Sequence, residues 1–173
     1  NRIGCVVLRG SGRGFCAGAD LDAMGKVPID PRFKPRIVER LGCLPQPVVA
    51  AVHGVCFTGG LELALACDFV LADGTARFAD THGKWGLVGE WGMAQRLRRR
   101  IGASAAKRMM MTARTVGAEE ALSMGLIDLL AQAGELDALV TRYTAEILAN
   151  SWHTNFATKR LMRETDGMSL ADA

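Results

Sequence analysis

The chain has 173 residues, of which 49% are hydrophobic and 23% charged, with a formal net charge of +3. That balance fits a compact soluble domain and supplies no strong field for nucleic acid. No apolar run reaches the roughly 20 residues needed to cross a bilayer.

The first predicted element is a buried strand at Val6-Val7-Leu8, followed by the loop Arg9-Gly10-Ser11-Gly12-Arg13-Gly14. This loop lacks the Gly-x-x-Gly spacing that opens a dinucleotide-binding helix, and no Gly-Lys-Ser/Thr follows it, so it does not read as a phosphate cradle. Small residues continue through Phe15-Cys16-Ala17-Gly18-Ala19-Asp20-Leu21, which leaves the backbone accessible. Pro47 to Val52 is short, apolar and partly β-branched, as expected of a strand buried on both faces.

A helix is predicted over Leu61 to Cys67, just after Gly59-Gly60. Helix N-terminal amides lack intrahelical acceptors, and the dipole there favours negative charge, so the glycine turn can offer N–H groups to a developing oxyanion. Glu62 lies three residues after Gly59, which projects its side chain near the same opening. It reads either as an acid or base beside that anion site or as a first-turn carboxylate favoured by the dipole, worth roughly 0.3 to 1 kcal/mol. If the Ala17 amide faces the Gly59 amide, the pair would hold one carbonyl oxygen as it becomes an enolate. Loss of one such donor typically costs about 3 kcal/mol of transition-state stabilisation.

His53 and Cys56 invite a nucleophile–base reading, but no third orienting residue is visible and the pair is set aside. The five cysteines, Cys5, Cys16, Cys43, Cys56 and Cys67, form no Cys-x-x-Cys pair. They read as reduced thiols in a cytoplasmic protein. No histidine or cysteine spacing resembles a metal site. Met109-Met110-Met111 reads as packing. Further helices are predicted around Leu122 before a Gly125 stop, over Leu136, Val140, Tyr143 and Ile147, and from Thr154 to Glu164. From Val6 to Asp128, short strands alternate with helices, which argues for an α/β domain without internal repeats.

Phe-x-Ala-Gly-Ala-Asp-Leu from Phe15, Pro-Val-Val-Ala-Ala-Val-x-Gly from Pro47 and Gly-Gly-Leu-Glu-Leu-Ala-x-x-Cys-Asp from Gly59 closely resemble the enoyl-CoA hydratase/isomerase, or crotonase, family. The resemblance continues through Phe69 to Ala72, Arg77-Phe78, Gly83 to Gly92, Gln95-Arg96-Leu97 and Ala118 to Ile127. It implies a spiral of ββα units with a helical C-terminal region, the spiral core over residues 1–128 and the helices over 129–173. The chain opens without methionine and enters its first strand at once, so a fragment lacking parts of both ends is expected.

By the same resemblance, the oxyanion hole falls on the amides of Ala17 and Gly59. Substrate contacts fall on Ala17, Gly18, Ala19 and Asp20 and on Gly59 and Gly60, Asp20 being equally readable as a structural cap. The substrate implied is an acyl-CoA thioester, with coenzyme A part of the substrate and no separate cofactor, and the assembly implied is a homotrimer or dimer of trimers. Two-glutamate hydratases match at Glu62, whereas the second glutamate is replaced by His82. An imidazole, with its ordinary pKa of about 6.5, could still carry a proton; the alternative is a structural loop histidine. Glu90 stands where isomerases, hydrolases and dehalogenases of the family carry an acid, and is readable as a desolvated proton carrier or as a solvated side chain. Trp85 and Trp91 could line the acyl pocket and favour a bulky or aromatic acyl group. Arg96, Arg98, Arg99, Arg100, Lys107 and Arg108 face coenzyme A phosphates, a partner subunit or solvent. The activity implied is hydration of trans-2-enoyl-CoA, with isomerisation, hydrolysis or non-catalytic acyl-CoA binding as alternatives.

Overall fold

The computed structural model describes residues 3–22, 26, 30–169 and 171–172. In chain order its strands are β1 (Val6–Arg9), β2 (Val48–Val52), β3 (Val55–Phe57), β4 (Phe69–Asp73), β5 (Arg77–Ala79), β6 (Val116–Gly117) and β7 (Leu129–Ala131). Its helices are α1 (Phe33–Gly42), α2 (Gly59–Ala66), α3 (Met93–Ile101), α4 (Ala103–Thr112), α5 (Ala118–Ser123), α6 (Leu136–Leu148) and α7 (Trp152–Glu164), with a 3₁₀ turn at His82–Trp85.

Four parallel strands form one sheet in the order β1-β2-β4-β7, and β3-β5-β6 form a second. The chain visits the first sheet, crosses to the second and then enters a helix: β2-β3-α2 is followed by β4-β5 and the α3-α4 pair. An incomplete earlier turn precedes these, with β1 in the first sheet and Cys16 bridging Cys56 beside the second. This is the expected winding of ββα units.

β2 explains why the Pro47 to Val52 run is unbroken by polar residues. Val48, Ala50 and Val52 enter the main core with Leu61, Phe78 and Leu97, while Val49 and Ala51 pack on the other face with Leu71, Leu136 and Leu139. Every β2 side chain is buried, each valine contributing about 1.5 to 3 kcal/mol. β1 differs from its prediction as a buried strand. Among the described residues it lies at the sheet edge, and Val7 is 39% exposed.

The stripe predicted on the C-terminal helix is present: Leu136, Val140, Tyr143 and Ile147 of α6 all pack on the second face of the sheet. The Tyr143 ring meets Phe69 edge-on at 5.2 Å. The Gly125 stop takes the form of a Schellman motif. Gly125 has φ +76°, its N–H donates to Leu122 O at 3.1 Å, and the Leu126 N–H donates to Ala121 O at 2.8 Å. Of the methionine triplet, Met109 is fully buried and Met110 packs on the core, but Met111 is on the outer side of α4 and 79% exposed. β7, just past residue 128, joins the first sheet beside β4.

Two aspartates tie the sheet to helices. Asp68 accepts the Val48 N–H and pairs with Lys159 of α7, and Asp128 accepts the Val70 N–H and pairs with Arg100 of α3. Lys159 Nζ also donates to Gln46 O at 3.0 Å, which anchors α7 to the start of β2.

Candidate active site

α2 begins at Gly59, two residues before the predicted start, so the glycine pair forms its first turn. Thr58 precedes it with φ 53° and ψ −114°, a conformation rare for residues with a side chain and costing of the order of 1 to 3 kcal/mol. Its N–H donates to Ala79 O at 2.8 Å, and its hydroxyl lies 2.5 Å from that of Thr81. These contacts set the first turn of α2 beside the loop that follows β5.

The segment carrying Ala17 lies directly on that turn. A Cβ at Gly60 would sit 2.1 Å from Cys16 O, so only glycine admits the approach. Gly18 has φ +110°, and a Cβ there would be 3.4 Å from the Gly59 nitrogen. Among the described residues, neither the Ala17 nor the Gly59 N–H donates to a protein acceptor.

Glu62 projects from the same turn into the interior and is 1% exposed. Its Oε1 accepts the N–H groups of Trp91 at 2.8 Å and Met93 at 3.1 Å, at the start of α3. The helix end that holds the carboxylate is therefore that of α3, a tertiary partner, rather than that of its own helix as the dipole reading supposed. Oε2 has no such partner, and no fully buried side-chain oxygen among the described residues lacks one, so Oε2 borders open space. Burial raises the Glu62 pKa above its ordinary 4.5; the two N–H donors and His82 oppose the rise, and Asp80 adds to it.

His82 and Glu62 converge on Gly89. A Cβ at Gly89 would lie 3.1 Å from Glu62 Oε1 and 3.1 Å from His82 Cε1, which places both side chains around one point. His82 Nδ1 is 2.6 Å from Oδ1 of buried Asp80, whose same oxygen accepts the His82 backbone N–H at 3.1 Å.

Trp91 also belongs to this cluster, because a Cβ at Gly59 would lie 2.6 Å from its ring carbon Cζ3. The Trp91 ring therefore walls the Gly59 side of the site, with Lys34 Nζ over the ring 5.8 Å from its centre. The remaining predicted residues lie outside this grouping. Glu90 is exposed, which is its solvated reading, and Trp85 is 63% exposed at the end of the 3₁₀ turn. Asp20 accepts the Asp22 N–H at 2.9 Å, a local turn that suits its cap reading; Ala19 beside it is half-buried.

Three of the basic residues have intramolecular partners. Arg96 donates to Trp91 O, Arg99 pairs with Asp166 at 3.0 Å and Arg100 donates to Leu126 O at 2.9 Å. The His53–Cys56 pair is not assembled: His53 Nε2 meets Gly12 O at 2.9 Å, while burial pushes the Cys56 thiol pKa well up. Sequence reasoning missed Asp80, Thr58 and Thr81. Asp80 carried a usable signal, since a carboxylate two residues before a histidine in a turn can reach its ring. The hold of Trp91 and Met93 on Glu62 carried none, because backbone groups make it.

The family model described as enoyl-CoA hydratase/isomerase matches residues 1–173. A probable enoyl-CoA hydratase of Arabidopsis thaliana, named as peroxisomal, is 38% identical over 95% of this chain and 62% of its own length. The crystal structure of a Bacillus anthracis enoyl-CoA hydratase superposes with a TM-score of 0.90 at 30% identity, covering 97% of this chain and 67% of the other. A Thermobifida fusca structure in complex with CoA gives 0.89 at 29% identity, over 97% and 70%. The chain belongs to the enoyl-CoA hydratase/isomerase family, and its fold is the crotonase fold. It spans 62% of the length of the Arabidopsis relative. Among the described residues, no helix is long and apolar enough to cross a membrane.

Proposed function

We propose that this protein hydrates trans-2-enoyl-CoA to 3-hydroxyacyl-CoA. The observation that carries the reading is the convergence of Glu62 and His82 on Gly89, each with an atom 3.1 Å from the same point, Glu62 standing on the turn that carries the unpaired Gly59 amide. The thioester oxygen is held by the Ala17 and Gly59 N–H groups, which stabilise the charge it gains as the enolate forms. Of Glu62 and His82, one takes a proton from water as the water oxygen bonds to carbon 3. The other gives a proton to carbon 2, and transfer between the two restores the resting site. The sum adds one water across the double bond. Burial raises the Glu62 pKa and so favours its proton-holding form, which suits the carboxylate to proton transfer.

Ala17, Gly18 and Ala19 line the approach of the pantetheine arm, and Gly60 admits it by packing without a side chain. Coenzyme A enters as part of the substrate, as the complex of the Thermobifida fusca relative supports, and no further cofactor is invoked. Assembly as a homotrimer or dimer of trimers is supported by α7, which buries none of its residues and exposes Trp152, Leu161 and Met162. The free cysteines support a reducing compartment such as the cytoplasm.

The test is mass spectrometry of a panel of trans-2-enoyl-CoAs incubated with the full-length protein in deuterium oxide. A product heavier by one water supports hydration. Deuterium exchange without addition would replace this reading with isomerase chemistry, and free coenzyme A would replace it with hydrolysis.

A further inference from the structure

Asp80 is 2% exposed, and its Oδ1 serves both the backbone N–H and the ring Nδ1 of His82. The backbone N–H already directs a proton at this oxygen, so Oδ1 is an acceptor there and the ring supplies the second proton from Nδ1. A neutral imidazole protonated on Nδ1 has its lone pair on Nε2. Among the described residues, Nε2 makes no hydrogen bond, while Cε1, next to it in the ring, packs on Gly89, as Glu62 Oε1 does.

We infer that Asp80 is a positioning residue that orients the His82 ring and keeps its proton on Nδ1, making Nε2 the ring atom that exchanges protons with the substrate. The inference rests on the reading of His82 as a proton carrier in the proposed hydration. When Nε2 takes a proton, the ring becomes an imidazolium with N–H on both sides, and Asp80 and Glu62 are the carboxylates that face it. Release of that proton from Nε2 returns the neutral ring with Nδ1–H still on Asp80. The same division of labour, in which a buried carboxylate fixes the histidine tautomer while the far nitrogen works, serves hydrolytic triads on unrelated folds.

The test pairs a spectrum with a double-mutant cycle on the full-length protein. In ¹⁵N-histidine-labelled protein above the pH of ring protonation, the His82 resonances are expected to show the proton on Nδ1. In Asp80→Ala they shift toward the Nε2–H form. Asp80→Asn keeps an oxygen acceptor and the side-chain volume but drops the charge. It is expected to lower kcat by about tenfold to a hundredfold, no more than the low end of the roughly 10² to 10⁴ that a positioned acid or base itself supplies, with KM changed less than about twofold. In a His82→Gln background, the same substitution is expected to change kcat no further. A proton on Nε2 in the unmodified protein would overturn the inference. So would an equal loss from Asp80→Asn with and without His82, since that is the mark of a purely structural role. The spectrum needs no substrate, so an Nδ1–H ring in a protein without turnover would sink the hydration reading and leave the placement by Asp80 supported.

Discussion

Trp91 donates its backbone N–H to Glu62 Oε1 at 2.8 Å while its indole covers Gly59, so one residue both holds the buried carboxylate and walls the candidate oxyanion donor. The two roles use different parts of the residue and separate on substitution. Trp91→Ala keeps the N–H and opens the wall. It is expected to raise kcat/KM for long or branched acyl chains relative to short ones by several-fold, as measured on a series of enoyl-CoAs. An unchanged ranking of chain lengths would show that the ring does not border the acyl group.

Burial sets the pH behaviour of Glu62. Its pKa lies above the ordinary 4.5, so as pH rises the unfolded chain releases this proton first. Between the two values the native state binds more protons than the unfolded state, and stability falls as pH rises through that window. Glu62→Gln removes the titration. The melting temperature of the unmodified protein is therefore expected to fall relative to Glu62→Gln as pH increases from about 4 to 8, and a constant difference across that range would contradict the assignment.

Gly60 and Gly117 provide a matched pair for stability. A Cβ at Gly60 meets backbone 2.1 Å away, whereas one at Gly117 meets nothing within 4 Å. Gly60→Ala is expected to lose about 1 to 3 kcal/mol in urea unfolding, because the segment carrying Cys16 must move. Gly117→Ala, which keeps an ordinary φ, is expected to fall within about 0.5 kcal/mol of the parent. Similar values for both would show that the contact between α2 and the Ala17 segment is looser than described.

Thiol chemistry follows burial. Cys43 is exposed, whereas Cys56 is enclosed and the Cys67 pKa is pushed up to about 12. Alkylation of the native protein at neutral pH is expected to label Cys43 first and to leave Cys56 and Cys67 unlabelled until it unfolds. Rapid labelling of Cys56 would reopen it as a nucleophile.

β2 and the α6 stripe were legible because each is an unbroken pattern of one period, with Val48 to Val52 apolar throughout and Leu136 to Ile147 apolar on one helical face. β1 was legible as an apolar strand but not in its place in the sheet, because apolar residues do not distinguish a central from an edge strand; its neighbours in the sheet decide that. Gly59-Gly60 was read as a turn because glycine is a weak helix former. The helix starts there because Thr58 is locked to Ala79 and Thr81, and glycine alone fits beneath Cys16. Glu62 and His82 were legible as residue types at family positions. Their convergence on Gly89 was not, since it depends on that glycine letting α3 come close enough to hold the carboxylate by backbone N–H groups.

The most direct measurement of the Glu62 claim is the turnover of Glu62→Gln on trans-2-enoyl-CoA beside its calorimetric affinity for a saturated acyl-CoA. Glutamine preserves the volume and an oxygen acceptor but cannot cycle a proton. The expected result is a fall in kcat of about 10² to 10⁴-fold with affinity within about threefold of the parent. Turnover equal to that of the parent would remove Glu62 from the chemistry and leave its burial as packing alone.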